Sequence, residues 1–107
     1  MNIISNHPIN ATIALAALEQ VMDPEIGLNV VDLGLIYQLD FDKQGRRIYV
    51  SMTLTTQFCP MGDTLTAAVK RVMERTFGDQ ETVVELCFDP PWSQERISEQ
   101  GKLFLNQ

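Results

Sequence analysis

The chain has 107 residues, of which 45% are hydrophobic and 21% are charged, and no apolar run approaches the ~20 residues of a membrane span. This length predicts one domain that can bury a modest core without a metal or a disulfide. The formal net charge of −6 argues against a nucleic-acid partner, because phosphate binding needs clustered basic residues, and the pair Lys70 and Arg71 is typical of a solvated helix face.

The N-terminal residues 1–9 are predicted to be flexible, and residues 10–107 are predicted to form the single domain. The N-terminal segment has neither the basic start nor the long apolar stretch of a signal peptide. The two cysteines form no CxxC pair, which indicates reduced thiols and no disulfide framework. We therefore expect a cytoplasmic protein.

Hydrophobic periodicity predicts a helix followed by a β-hairpin in the first half of the chain. Apolar residues recur at helical spacing over residues 10–22. Residues 35–41 and 48–55 then alternate between apolar and polar side chains, which predicts two antiparallel strands with one buried face. The same alternation places Thr53 and Thr55 on the exposed face of the hairpin.

The second half of the chain completes the order α-β-β-α-β-α. An amphipathic helix is predicted over residues 63–77, a third strand over residues 83–89 and a last helix over residues 93–105. This order predicts an α/β (α+β) fold of two layers, with a small three-stranded sheet and helices on one face. The sheet face predicted to lie against the second helix carries Tyr37, Leu39, Val50, Met52, Leu54, Leu86 and Phe88.

Cys59 lies in a turn between a predicted strand and a predicted helix. At the start of a helix, unpaired backbone N–H groups and the helix dipole favour the thiolate, which binds soft metals or attacks electrophiles. Cys59 is therefore predicted to be the more reactive thiol, whereas Cys87 is predicted to be a strand residue without a role. A packing role for Cys59 stays open on the residues alone.

Other polar residues have structural interpretations at this level. Asp23 and Glu25 are typical of a polar turn, and Asp32 beside Gly34 is typical of a residue that braces a tight loop. Trp92 follows two prolines and is predicted to cover the edge of the core.

Three segments of the chain carry a family resemblance. They are Asp23-Pro24-Glu25 with residues 31–37, residues 52–55 with Cys59-Pro60, and residues 88–92 with residues 97–101. In this order and at these separations they resemble the metal–sulfur cluster biosynthesis family, which includes SufT and the N-terminal domain of PaaD. PaaD proteins continue into a cysteine-rich region that is not found up to Gln107, so the short SufT-like form is favoured.

The resemblance implies an assembly factor for iron–sulfur clusters, as opposed to a turnover enzyme, with Cys59 as its functional thiol. One thiolate cannot satisfy a cluster, so iron or a cluster would be held transiently and shared between chains, with none tightly bound by the monomer. The implied partners are the iron–sulfur assembly machinery, apo client proteins and a second copy in a homodimer. The implied supporting residues are Asp23, Glu25, Asp32, Thr53 and Thr55.

Two alternatives remain at this level. The first is a protein–protein adaptor in a maturation complex, without direct metal or sulfur chemistry. The second is a thiol enzyme with Cys59 as nucleophile, which needs a nearby base. The only histidine is the distant His7, and the carboxylates of Asp23 and Glu25 are poor bases for a thiol, so this alternative is disfavoured.

Overall fold

The computed structural model describes residues 3–56 and 62–106. Its strands and helices are short and mixed along the chain, and none of the helices in these two ranges has the length and apolar character of a membrane span. In chain order the elements are β1 (Ile4–Ser5), α1 (Pro8–Leu18), β2 (Met22–Asp23), β3 (Leu28–Asn29), β4 (Ile36–Asp42), β5 (Arg47–Met52), α2 (Gly62–Thr76), β6 (Glu81–Leu86), a 3-10 helix (Gln94–Arg96) and α3 (Glu99–Leu105).

The main sheet has four strands in the order β1-β4-β5-β6, not the predicted three. β4 and β5 form the predicted antiparallel hairpin, whereas β1 runs parallel to β4 and β6 runs parallel to β5. β2 and β3 form a separate two-stranded sheet. Buried side chains of α1, α2 and the main sheet belong to one core cluster, so both helices pack on the same face of the sheet.

The additional strand β1 lies within the N-terminal range predicted to be flexible. It has two paired residues, too few to produce an alternating pattern in the sequence. The Asn6 side chain continues the pairing, because its amide donates to the Phe41 carbonyl at 3.0 Å and accepts from the Phe41 N–H at 2.9 Å. The structure thus assigns defined elements to part of residues 1–9, and the mobility of this range stays a prediction.

The first helix is shifted toward the N-terminus relative to the predicted residues 10–22. It begins at Pro8, a residue suited to the first turn, and the Nδ1 atom of His7 caps it by accepting from the Asn10 N–H at 3.2 Å. It ends at Leu18, because the next residues turn into β2, where Met22 pairs with β3.

A β-bulge in β4 changes which side chains face the core. The pairing register with β5 shifts between Ile36 and Gln38, so Ile36 and Leu39 are both fully buried. Tyr37, predicted to face the helix, is instead half-buried, and its hydroxyl donates to the Pro90 carbonyl at 2.7 Å. The prediction for Tyr37 is wrong because one inserted residue reverses the alternation.

Burial confirms the predicted face for the other residues of the hairpin. Ile48, Val50 and Met52 of β5 are fully buried, as period-2 alternation requires. The buried side chains of α2 that complete this layer are Leu65, Val69, Val72 and Met73.

The edge strand β6 departs from the prediction at its C-terminal end. Two α2 side chains hold the backbone of Thr82, since Lys70 donates to its carbonyl at 3.1 Å and Glu74 accepts from its N–H at 3.3 Å. At the other end of β6, Leu86 is 44% exposed, although it was predicted to lie in the core. Because β6 is an edge strand in the sheet that the described residues form, alternation alone does not bury this residue.

Candidate functional site

The Asp23-Pro24-Glu25 turn is organised by a buried carboxylate. Asp23 is 2% exposed, and its Oδ1 accepts from the N–H groups of Glu25 at 2.9 Å and Ile26 at 3.3 Å. Its backbone carbonyl accepts from the Gly27 N–H at 2.8 Å, and Gly27 has a φ of +79°. Asp23 therefore fixes the turn, while Glu25 remains exposed on the surface.

Asp32 joins the loop after β3 to the C-terminal part of the chain. Asn29 Nδ2 donates to Asp32 Oδ2 at 2.7 Å, and Ser98 Oγ donates to Asp32 Oδ1 at 2.7 Å. The Ser98 N–H also donates to the Asp32 carbonyl at 2.7 Å. Both carboxylate oxygens thus have donors, so Asp32 braces the loop, as its place beside Gly34 predicts; a part for it in a functional site stays a prediction.

Two further side chains hold the same loop, and with Ser98 we call Trp92 and Arg96 the C-terminal clamp. Trp92 Nε1 donates to the Leu33 carbonyl at 2.7 Å, and Arg96 Nε donates to the Gly34 carbonyl at 3.0 Å. Ser98 also caps α3 by accepting from the N–H of its third residue at 3.0 Å. This cap explains why the predicted helix over residues 93–105 is divided into a 3-10 turn and a shorter α3.

Gly34 permits the close approach of the C-terminal clamp. Its φ is +77°, and a Cβ atom there would lie 2.3 Å from the Arg96 carbonyl oxygen. Only glycine fits both conditions without strain. The Arg96 guanidinium also lies 4.1 Å from the centroid of the Tyr37 ring, a cation–π distance.

Thr53 and Thr55 follow the end of β5, where alternation stops. The predicted exposure of Thr53 is wrong: it is 0% exposed, its N–H donates to the Leu35 carbonyl at 2.8 Å, and its Oγ1 donates to the Leu54 carbonyl at 3.4 Å. The chain turns inward here because β5 ends at Met52. Thr55 is half-buried.

Cys59 lies outside the described residues, so its predicted place at the start of a helix stays a prediction. The structure does describe both flanks of residues 57–61. Leu54 on one side is buried, and α2 begins at Gly62 on the other. A Cβ atom at Gly62 would lie 2.8 Å from Leu54 Cδ1, so the two flanks of the cysteine segment are packed against each other.

A cleft of about 440 Å³ lies between residues 20–24 and the 64–75 stretch of α2, and we call it the α2 cleft. Pro24 lines it together with Thr64 and Leu65. The Asp23-Pro24-Glu25 turn therefore borders the first turns of α2, the helix that follows Cys59 in the chain.

Comparison with known proteins identifies the family. The family model for iron–sulfur cluster assembly proteins matches residues 12–86. The chain belongs to this family. It is 36% identical to the Fe-S protein maturation auxiliary factor YitW of Bacillus subtilis, over 85% of this chain and 88% of that protein, and 39% identical to the Fe-S protein maturation auxiliary factor SufT of Staphylococcus aureus, over 79% and 96%.

A solved structure has the same fold. The domain of unknown function DUF59 from Bacillus anthracis matches with a TM-score of 0.83 and 32% identity, over 94% of this chain and 98% of that one. The family model of the iron–sulfur cluster assembly proteins ends at residue 86, so the C-terminal clamp lies outside the matched range. The clamp was missed by sequence reasoning except for Trp92, because its contacts join residues about 60 positions apart.

Cys87 is the one thiol in the described part of this iron–sulfur cluster assembly protein. It is half-buried, and its Sγ contacts the Asp89 carbonyl oxygen at 3.1 Å. Within residues 3–56 and 62–106, no group of three or more His, Cys, Asp or Glu side chains is arranged to hold a metal ion. Asp23, Glu25 and Asp32 therefore form no metal site with other described residues.

Proposed function

We propose that this protein is an accessory factor in the assembly of iron–sulfur clusters or in their transfer to client proteins. The observation that carries the proposal is its similarity to two relatives named Fe-S protein maturation auxiliary factors, over most of both chains. On this proposal its partners are the iron–sulfur assembly machinery and apo client proteins, and it works in the cytoplasm as an assembly factor, with no turnover of its own.

We assign the working group to Cys59, as a labile thiolate ligand or a carrier of sulfur. A thiolate suits both roles, because it is a soft ligand for iron and a nucleophile toward sulfane sulfur. The packing of Leu54 against Gly62 supports the assignment by bringing together the two flanks of the cysteine segment. Pro24 borders the first turns of α2, and on this proposal Asp23, Glu25 and Thr55 support the thiol from the surrounding loops.

The remaining ligands of the cargo come from another chain. An iron–sulfur cluster takes four protein ligands in its usual form, and this chain has two cysteines in all. We propose that a second copy in a homodimer, or a partner protein, supplies the missing thiolates. Shared ligation suits transfer, since a closed site with four ligands would retain the cluster.

The test replaces each thiol in turn. Cys59→Ser is expected to change the free energy of unfolding by about 1 kcal/mol or less, because serine is nearly isosteric with cysteine. It is also expected to abolish support of a cluster-dependent enzyme such as aconitase in a strain that lacks this protein, because a hydroxyl is a poor soft-metal ligand. Cys87→Ser is the matched control and should behave as wild type in both measurements.

Anaerobic reconstitution with iron and sulfide, followed by absorption spectroscopy, distinguishes a protein that binds a cluster through Cys59 from an adaptor that binds only other proteins. The wild type should gain cluster absorption that Cys59→Ser lacks. If Cys59→Ser melts normally and fully restores aconitase activity, the thiol is not the working group, and the protein acts as an adaptor without metal or sulfur chemistry.

A further inference from the structure

We propose that the α2 cleft binds a short segment of a partner polypeptide in which carboxylates flank an apolar side chain. The cleft combines an apolar wall with two arginines that form no ion pair with any residue that the structure describes. This inference rests on the proposed function only for the expectation that a protein partner exists, and its test involves neither iron nor sulfide.

Arg71 and Arg75 of α2 supply the positive charge of the cleft. Among residues 3–56 and 62–106 neither of them forms an ion pair, whereas their neighbour Lys70 pairs with Glu74 at 3.8 Å. The polar contact of Arg75 across the cleft is to the neutral side chain of Gln20 at 3.5 Å.

The spacing of the two arginines adds repulsion between their side chains, which lowers the stability of the helix. They are four positions apart on one helix face, where like charges destabilise a helix by about 0.2–0.5 kcal/mol. The position four residues before Arg71 is Ala67, which offers no carboxylate. Glu74 lies three positions after Arg71, but its carboxylate forms its ion pair with Lys70, so both arginines stay available to an anion from outside the chain.

The apolar wall of the cleft is formed by side chains that belong to the core. Val21, Leu65 and Val72 line it although each is nearly fully buried, so the cleft reaches the outer surface of the core. Met22 also lines the cleft and is 50% exposed. An apolar side chain of a ligand would cover Met22 and remove its exposed apolar surface from water.

The length of the cleft favours a peptide over a small anion. The stretch of α2 from Thr64 to Arg75 measures about 17 Å at 1.5 Å per residue. An extended segment of about five residues has this length. Among the described side chains that line the cleft there is no carboxylate, so acidic groups of such a segment would contact Arg71 and Arg75 without repulsion from the lining.

The place of the cleft suits a partner of the proposed function. Pro24 and Thr64 line one end of it, and Thr64 follows Cys59 by five positions in the sequence. A partner whose segment binds there would therefore be held close to the start of α2, the helix that follows the cysteine segment in the chain.

Fluorescence anisotropy with synthetic probes tests the proposal. The probes are two fluorescein-labelled hexapeptides, one alternating leucine with glutamate and one alternating leucine with glutamine. Wild type should bind the glutamate probe about tenfold more tightly than the glutamine probe, as expected for two carboxylate–guanidinium contacts at a partly exposed site. The double variant Arg71→Gln/Arg75→Gln should lose this preference, and its melting temperature should be checked against that of the wild type.

A matched control removes the same charge elsewhere. Lys43→Gln with Lys102→Gln lowers the net charge equally at exposed sites away from the cleft and should keep the preference within about twofold. Cys59→Ser should also bind normally, so that failure of peptide binding and failure of the cluster chemistry are told apart. In spectra of methyl-labelled methionine, the Met22 signal should shift on binding, whereas Met52, which is fully buried, reports on the core.

Several results would overturn the proposal. Equal affinity for the two probes, unchanged binding by the arginine variant or an unmoved Met22 signal each contradicts the assigned site. Displacement of the probe by citrate at equal concentration would identify a small anion as the ligand. Self-association of the wild type in sedimentation, abolished by the arginine substitutions, would identify a second copy as the occupant.

Discussion

Arg96 and Arg71 place the same guanidinium group in opposite situations. Arg96 of the C-terminal clamp donates to a glycine carbonyl and stacks on the Tyr37 ring, so its polar and flat surfaces both have partners within the chain. Arg71 in the α2 cleft has no ion pair within the described residues, and the residue four positions along its helix is another arginine. One region uses its charge to hold the fold, and the other keeps its charge available to a ligand.

The largest expected effect comes from the closest contact of the clamp. Gly34→Ala should lower the free energy of unfolding by about 3 kcal/mol or more, because a Cβ atom would meet the Arg96 carbonyl at a positive φ. Gly27→Ala is the matched control, since Gly27 has a similar φ of +79° with no atom within 4 Å, and it should cost about 1 kcal/mol. Urea denaturation of both variants measures the difference, and equal losses would show that the clamp yields to the added methyl group.

The second largest loss of stability is expected from removal of the Asp32 carboxylate, which Ser98 of the clamp contacts. Asp32→Ala should lower the free energy of unfolding by about 2 kcal/mol, because it removes the acceptor of Asn29 and Ser98. A double-mutant cycle with Ser98→Ala should give a coupling of about 1 kcal/mol. Strict additivity of the two substitutions in thermal or urea unfolding would argue that the 2.7 Å contact contributes no stability.

A smaller loss of stability is expected when the indole of Trp92 in the clamp is replaced. Trp92→Phe keeps an aromatic ring but removes the donor to the Leu33 carbonyl, at a cost of about 1 kcal/mol. The same unfolding measurement tests this value. A neutral result would mean that water replaces the indole N–H at the carbonyl.

The smallest change in stability is expected in the α2 cleft, where a substitution should stabilise the protein and not destabilise it. Arg71→Gln should leave stability unchanged or raise it by about 0.3 kcal/mol, because it relieves repulsion with Arg75 on the same helix face. The gain should disappear in high salt, which screens the repulsion. A clear loss of stability would place Arg71 with Arg96 among the residues that hold the fold.

The parts of the fold with strong periodicity could be predicted from the sequence. The β4–β5 hairpin and α2 were expected at nearly the observed bounds, because each has one buried face and enough residues to show it. β1 could not be predicted, since two residues carry no period. Tyr37 and Thr53 were assigned to the wrong sides because a bulge and a strand end each interrupt alternation.

The site was predictable only where a residue's role is local. The turn at Asp23 and the contact of Asp32 with Asn29 involve near neighbours in the sequence, whereas Ser98, the other partner of the Asp32 carboxylate, lies 66 positions away. Arg96 was missed, because its carbonyl partner lies 62 positions away. The sequence predicts Arg71 only as part of a solvated helix face, and its lack of an ion pair with the described residues becomes informative once the fold places α2 beside Met22.

The outer edge of β6 limits how this protein can aggregate. In the parallel register with β5, the peptide groups of Thr82, Val84 and Leu86 face away from the sheet, and side chains of α2 already occupy those of Thr82. If two copies paired edge to edge in an antiparallel register centred on Glu85, one glutamate would lie directly opposite the other, which is unfavourable. The charge of Glu85 thus disfavours that register of strand pairing beside the exposed Leu86.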